Sequence, residues 1–464
     1  MKYFLGLITR CKDEFFIKDF CYYYLTQGVD ILYIIDDNSN DKSIYNNINN
    51  DKIKIIYEKN IMDNKIPNKL YQKIKNDFEW IIYCDVDEFI TTRKNINNTI
   101  KDELKTTFKD VDCIKIPWVM MSCNGIKNNP KNILLENIYR WNHNKKHPHP
   151  VNKFRCRYKI IECKCIFKPS KFNDIYEHNP LKPIKKPKIV DSVYNSNNNL
   201  SCYCYNFREK HINIGYLLCY HYRIISEENC INKLKNSKWY IDDGYTLDDL
   251  MSSDNPEIID KTLHYKFINN NLKFIHIPKT SGTYIENIAK EKNILWGRFD
   301  NNLLNSKIKD NQEIKSNWLA PLGLFKEFPY DFRPIFFTIV RNPYDRIISK
   351  CFCKFNNEIS KDITTKDDFN NYIKEQITNT YFFLPQHLYT HNNDKQIVDY
   401  IIKYENADKG FNILMDKYKC DIKYIKQTPT TKKFNIKDIS KENINLINKI
   451  YEKDFQLYNY HMII

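Results

Sequence analysis

The stretch Leu272-Lys-Phe-Ile-His-Ile-Pro-Lys-Thr-Ser-Gly-Thr283 constrains this chain more than any other. A β-type, largely apolar run, Leu272 to Ile277, feeds a loop of small residues, Pro278 to Thr283, and a helical segment, Tyr284 to Lys290, leaves it. Strand, loop and helix in that order aim backbone N–H groups and the positive end of a helix at one point, a place suited to an anion. Lys279 adds a movable cation. The residues before this stretch belong to different chemistry. At 464 residues the chain has room for two or three domains, and it reads as two in series, residues 1–262 and 270–464, with a linker over 260–271.

Composition narrows the partners. Net charge is +15, but it is spread along the chain with no arginine-rich arm, so no nucleic-acid partner is expected. Phosphorylated or sulfated small donors, or a glycan, fit better. Abundant Asn, Lys, Ile and Tyr with only 9 Gly look like codon bias of an AT-rich genome, as in a large DNA virus or a protist. The 15 cysteines include three Cys-x-Cys pairs, Cys163/Cys165, Cys202/Cys204 and Cys351/Cys353. None has zinc-knuckle spacing, and free thiols in a reducing compartment are expected. The apolar run Tyr3–Thr9 is too short for a membrane anchor, and no other run approaches the roughly 18 residues a span needs. The expectation is a cytoplasmic protein, in the host cytoplasm if the source is a virus.

In the first half, Tyr3–Thr9, Ile31–Ile35, Lys54–Tyr57 and Trp80–Tyr83 read as buried strands, with helices over 12–27 and 67–76 between them. That alternation predicts an α/β fold, a mostly parallel sheet flanked by helices, with ligands at the carboxyl ends of the strands. Two strands end in acid: Asp36-Asp37 and Asp85-Val-Asp87. In extended backbone, Asp85 and Asp87 point to one side, a pattern suited to a hard divalent cation that also holds a diphosphate. Residues 182–213 read as a long polar loop or acceptor-side flap, and Trp239–Asp260 as a helical end-piece.

The ordered motifs Arg10-Cys-Lys-Asp-Glu14, Phe20–Val29, Tyr33-Ile-Ile-Asp-Asp-Asn-Ser-Asn-Asp41, Tyr83-Cys-Asp-Val-Asp-Glu-Phe89, Lys164-Cys-Ile-Phe-Lys-Pro169, His178 and His221-Tyr-Arg-Ile-Ile-Ser-Glu-Glu228 resemble glycosyltransferase family 92 and related Asp-x-Asp enzymes. The resemblance implies the nucleotide-sugar transferase fold, a donor such as a UDP-sugar, and Mn²⁺ or Mg²⁺. It also implies Asp37 on the nucleotide, Asp36 less so, Asp85 and Asp87 on the metal and diphosphate, and His221 as a candidate third ligand. Inverting transfer requires a carboxylate base. Glu88 would face away from the acidic pair, and Glu14, Glu136 and Glu177 stand as equal alternatives.

In the second half the loop is not a nucleotide-triphosphate loop, because Lys279 precedes the only Gly. Phe274-Ile-His-Ile-Pro-Lys-Thr-Ser-Gly-Thr283, followed downstream by Phe336–Val340 and Arg341-Asn-Pro-Tyr-Asp-Arg-Ile-Ile-Ser349, resembles the two donor signatures of carbohydrate sulfotransferases that use 3′-phosphoadenylyl sulfate (PAPS). That implies a P-loop-like fold with Lys279, Thr280, Ser281, Gly282 and Thr283 around the 5′-phosphosulfate. Arg341 and Ser349 would meet the 3′-phosphate, and transfer would need no metal. Ser281 stands where a glycine is common, which is tolerable if its φ is negative. No histidine lies between His276 and His387. The base is therefore expected to be Glu286, with Asp300 and His387 as alternatives, and His276 is expected to be structural. Phe383–Gln386, Tyr404–Asn406 and Tyr451–Tyr458 resemble later family segments and carry no assigned role.

The combined expectation is a bifunctional enzyme that transfers a sugar and a sulfuryl group to a glycan acceptor. The alternative is a glycan-binding protein with one or both sites inactive.

Overall fold

The computed structural model describes residues 2–46, 48, 50–58, 65–147, 160–197, 199–309, 316–330, 333–352, 363–378, 383–425 and 433–464. The chain divides into two compact units, Met1–His264 and Tyr265–Ile464. Cys353, of the third Cys-x-Cys pair, lies outside the described residues, and the cysteines within them are free thiols.

The first unit opens with β1 (Tyr3–Cys11), α1 (Ile17–Thr26), β2 (Ile31–Asp37), β3 (Ile53–Glu58), α2 (Lys65–Ile74) and β4 (Phe78–Tyr83). These strands lie in the order β3-β2-β1-β4, every pair parallel. Leu5, Leu7, Ile8, Leu32, Ile34, Ile35, Ile81 and Ile82 are fully buried along them. Continuous apolar strands covered on both faces are what a parallel sheet requires. Beyond β4 the sheet turns mixed: the strand Ile160–Phe167 runs antiparallel to β4 and to β6 (Cys113–Ser122). The strand Leu217–His221 then bridges β6 (parallel) and β5 (Glu88–Thr92, antiparallel). Thus the ends of β1, β2, β4 and the 217–221 strand all reach one rim.

Two regions differ from expectation. The 182–213 segment contains short strands (Ile189–Asp191, Tyr203–Tyr205) and the helix Glu209–Ile214, each paired or capped, rather than one open loop. The expected linker is the helix Thr262–Asn271. Just before it, Asp260 accepts charge-assisted hydrogen bonds from Arg93 (3.1 Å) and Arg140 (2.9 Å). A carboxylate that compensates two buried guanidiniums anchors its backbone.

The second unit is built on three parallel strands, Leu272–Ile275, Ile335–Val340 and Tyr400–Lys403, with the middle one between the others. The helix Gly282–Lys290 follows the first strand, and Pro343–Cys351 follows the second, with Pro343 at its first turn. Proline is pre-set for that position and has no N–H to lose there. Among the described residues no helix is long and apolar enough to cross a membrane.

Candidate active sites

At the carboxyl rim of the first unit lies a cavity of about 320 Å³ lined by Arg10, Glu14, Asp37, Asp85, Asp87, Trp118, Glu177, His178, His221 and Lys233, among others. Behind the acidic turn, α1 holds the strand that follows it. The Tyr24 hydroxyl donates to Glu88 O and accepts from Ile90 N, while Tyr23 donates to Ile90 O, which pins the strand that leaves the acidic turn. Asp85-Val-Asp87 is itself a turn closed by Glu88 N–H donating to Asp85 O, not the extended backbone expected. The turn, rather than strand alternation, brings both carboxylates to the cavity. Glu88 faces away as expected, fully buried, accepting from Asp85 N–H.

Asp85 and Asp87 each have a lysine partner to which the sequence motifs assigned no role. Lys164, buried in the strand Ile160–Phe167, reaches Asp85 at 2.8 Å and Glu88 at 3.3 Å. Lys233, on the helix Glu227–Asn236, reaches Asp87 at 2.8 Å. Burial alone would push the Asp87 carboxyl up, but Lys233 and His221 pull it down to about 2. Burial pushes the His221 imidazole down to about 4, so it is neutral at physiological pH. Its Nε2 stands 3.7 Å from Asp87 Oδ1, beyond hydrogen-bond length, and its Nδ1 is buried without a hydrogen-bond partner among the described residues. Ionised carboxylates suit a hard cation such as Mn²⁺, and a neutral imidazole can join them. Asp85, Asp87 and His221 therefore fit the expected metal, although no ready cluster of three ligands exists among the described residues.

Asp37 and Asp36 separate cleanly. Asp37 accepts from Arg10 Nε (2.8 Å) through one oxygen, while the other is buried with no hydrogen-bond partner among the described residues. Asp36 turns inward to the Tyr45 hydroxyl (2.7 Å) and Ser39 N–H. Of the alternatives for a base, Glu14 and Glu177 line the cavity, whereas Glu136 accepts the backbone N–H groups of Lys131 and Asn132 elsewhere.

In the second unit the loop Pro278–Thr283 joins the first strand to its helix as expected, with two departures. Lys279 (φ 68°) and Ser281 (φ 79°) both adopt the left-handed conformation, so Ser281 does not have the negative φ its substitution for glycine invited. The Ser281 hydroxyl pairs with the Tyr424 hydroxyl at 2.9 Å. Thr280, fully buried, donates to Ile277 O (2.8 Å), and Gly282 is required because a Cβ there would lie 2.6 Å from the His276 ring. The Lys279 ammonium forms no ion pair among the described residues, which leaves it available.

Arg341, at the end of the middle strand, is brought to this loop. One Nη donates to Lys279 O (3.3 Å), the guanidinium stacks 4.1 Å from the Tyr404 ring centre, and Nε is buried with no hydrogen-bond partner among the described residues. A guanidinium N–H with no partner among the described residues, beside a loop that leads into a helix N-terminus, fits an anion. Ser349 sits half-buried one turn beyond Arg346. Arg346, fully buried, ties Pro278 O to Leu384 O.

The expected base needs correction. Glu286 is fully buried; one oxygen accepts from His276 Nδ1 (2.7 Å) and Arg298 N–H (3.1 Å), and a Cβ at Gly297 would lie 2.0 Å from that oxygen. It orients His276 and cannot reach a substrate hydroxyl. Asp300 is likewise buried, against Lys273 (2.9 Å) and the Tyr330 hydroxyl. His387 remains: its Nδ1 lies 2.9 Å from Asp454 Oδ1 and its side chain is 19% exposed.

Residues 71–292 match the family model of glycosyltransferase family 92, and residues 268–461 match the sulfotransferase family. The chain is an enzyme of these two transferase classes. The first match contains Asp85, Asp87 and His221 but begins after Arg10 and Asp37; the two overlap at 268–292. No curated protein matches the chain. Similar solved structures include S. aureus TarS 1–349 (14% identity over 54% of this chain and 70% of that chain, TM-score 0.23). The same fragment in complex with UDP matches at 15% over 37% and 49%, TM-score 0.21. HddC from Yersinia pseudotuberculosis matches at 11% over 38% and 80%, TM-score 0.21.

Within the sulfotransferase match, the three segments left without a role position those that have one. Gln386 clasps the Arg341 backbone through both ends of its amide, accepting from Arg341 N–H (2.9 Å) and donating to Arg341 O (2.8 Å). Tyr404 lies under the Arg341 guanidinium, and Asp454 accepts from Gln386 N–H, His387 N–H and the His387 ring.

Proposed function

We propose that the enzyme is bifunctional, with a glycosyltransferase domain over residues 1–262 and a sulfotransferase domain over 270–464. The first would transfer a sugar from a nucleotide donor, UDP-linked by preference, with Mn²⁺ or Mg²⁺; the second a sulfuryl group from PAPS; both would act on glycan hydroxyls. Convergence of Asp37, Asp85, Asp87 and His221 on one cavity carries the first reading. In it, Asp37 holds the ribose, and Asp85, Asp87 and His221 hold the cation. That cation would neutralise the diphosphate as it leaves, while Lys164 and Lys233 keep the acidic pair ionised and in place.

Arg341, bonded to Lys279 O of the Pro278–Thr283 loop and with its Nε unpartnered among the described residues, carries the second reading. Arg341 takes the 3′-phosphate, with Ser349 on the adjoining helix. The loop N–H groups, the hydroxyls of Thr280, Ser281 and Thr283, and Lys279 surround the 5′-phosphosulfate, where they stabilise charge developing on the bridging oxygen. The base is His387: a ring N–H directed to Asp454 leaves Nε2 with its lone pair.

The test is thermal shift on the full chain. UDP with Mn²⁺ and adenosine 3′,5′-bisphosphate should each raise the melting temperature, and their effects should add. If neither shifts it, the glycan-binding alternative with inactive sites replaces this reading. Replacing His387 by alanine should lower sulfuryl transfer by about 10²-fold or more, the scale of lost general-base catalysis, and leave the bisphosphate shift intact. A loss of the bisphosphate shift in that variant would move His387 from catalysis to donor binding.

A further inference from the structure

The glycosyltransferase cavity has two chemically distinct ends. At one, Arg10 bonds Asp37 and lies near Asp85. At the other, Lys233 bonds Asp87 and lies near Tyr240. Beyond Lys233 the wall is aromatic: Trp239 and Tyr240, half-buried on the short helix Lys238–Asp242, both line the cavity. The Trp239 ring packs 4.6 Å from Tyr240 (edge-on) and 5.3 Å from Tyr245, and Tyr240 packs 5.3 Å from Tyr245, so each ring is fixed by the other two. Asn236 and Ser237 line the cavity just before them.

We propose that this wall is the acceptor-sugar subsite of the glycosyltransferase, with Trp239 the platform for one face of a pyranose ring and Asn236 and Ser237 its hydroxyl partners. This rests on the glycosyltransferase reading above. A pyranose has a polar rim and two faces of C–H groups. A rigid, half-buried aromatic ring in the lining of a cavity rich in charge, with an amide and a hydroxyl in the same lining, is the complement of that shape. The position decides between donor and acceptor. A nucleotide held at Asp37 with its diphosphate at Asp85 and Asp87 ends at the Asp87 side, where the transferred sugar meets its acceptor. Tyr240, in the wall, adjoins Lys233, and Lys233 bonds Asp87, so the wall meets the cavity at the Asp87 side. Trp239 lies beyond the last of the ordered sequence motifs, which ends at Glu228.

The experiment compares three readouts on the full chain: the thermal shift with UDP and Mn²⁺, UDP release from UDP-sugar with water as acceptor, and UDP release above that rate with a panel of aryl monosaccharides. Trp239→Ala should raise the acceptor KM at least 10-fold and leave the first two readouts at wild-type values. Trp239→Phe should restore most of the transfer. Trp239→Leu, which keeps bulk but no aromatic face, should behave as alanine, and covers the case in which alanine does not fold. Equal losses of the UDP shift and of transfer in these variants would assign the wall to the donor and overturn the proposal. So would wild-type transfer in Trp239→Leu, or a panel in which no pyranoside raises UDP release. Absence of any UDP shift in the wild type would instead sink the glycosyltransferase reading on which this one stands.

Discussion

Replacing Asp87 by alanine should abolish both metal-dependent stabilisation by UDP and sugar transfer, and should also lower the stability of the unliganded protein. The two losses have different origins. Asp87 and Lys233 form a largely buried pair at 2.8 Å, with side chains 16% and 10% exposed. Breaking a buried pair from one side leaves the other charge uncompensated, at a cost of about 3–5 kcal/mol. The ligand loss is separate: a nucleotide present at 100 times its Kd contributes about 2.7 kcal/mol, and that increment vanishes with the carboxylate. The double variant Asp87→Ala/Lys233→Met separates them. It removes both charges, so the unliganded melting temperature should return most of the way, while the UDP shift and transfer stay absent. Recovery of the UDP shift in the double variant would show that Asp87 served only to balance Lys233, and the metal assignment would fall with it.

In the sulfotransferase, Arg341→Ala should weaken adenosine 3′,5′-bisphosphate binding by about 10²-fold, taking a charge-assisted hydrogen bond as about 1.5–3 kcal/mol. The unliganded melting temperature should change little. The Arg341 guanidinium supports the fold through one carbonyl and one ring face, and the Gln386 clasp holds the backbone whatever side chain is present. Arg341→Lys keeps the charge but loses the planar fork and its stacking on Tyr404, so it should recover less than half of the binding free energy. Isothermal titration with the bisphosphate reads both variants. A full-strength isotherm from Arg341→Ala would place the 3′-phosphate elsewhere.

How much of this was legible beforehand follows from the range of the forces involved. Strand runs such as Leu32–Ile35 and Phe336–Val340 declare themselves because local hydrophobic pattern and burial agree. The acidic pair and the phosphate loop did so because each is contiguous in sequence. Lys164 and Lys233 did not: they meet Asp85 and Asp87 across 79 and 146 residues, and a lysine looks the same whether solvated or buried. Lys164 opens one of the ordered motifs, Lys164–Pro169, but the motif gave it no role; Lys233 lies outside them all. Glu286 misled for a related reason. Its place on the helix after the loop was read correctly, but which way it points depends on His276 and on the gap left by Gly297. Gln386 and Asp454 carried no signal alone, because a residue that acts by holding another is defined only by contacts.

The loop itself has a thermodynamic history. Lys279 and Ser281 sit at φ 68° and 79° without being glycines, each a strain of about 1–3 kcal/mol that persists only because its surroundings enforce it. The Tyr424 hydroxyl against Ser281 and the Arg346 guanidinium against Pro278 O are two such enforcers. The shape of the anion cradle is therefore cast while the protein folds, not when the donor arrives. Donor binding should accordingly show a small entropic penalty and a loop that hardly moves. A glycine at 281, the relaxed choice, would move that cost from folding to every catalytic cycle.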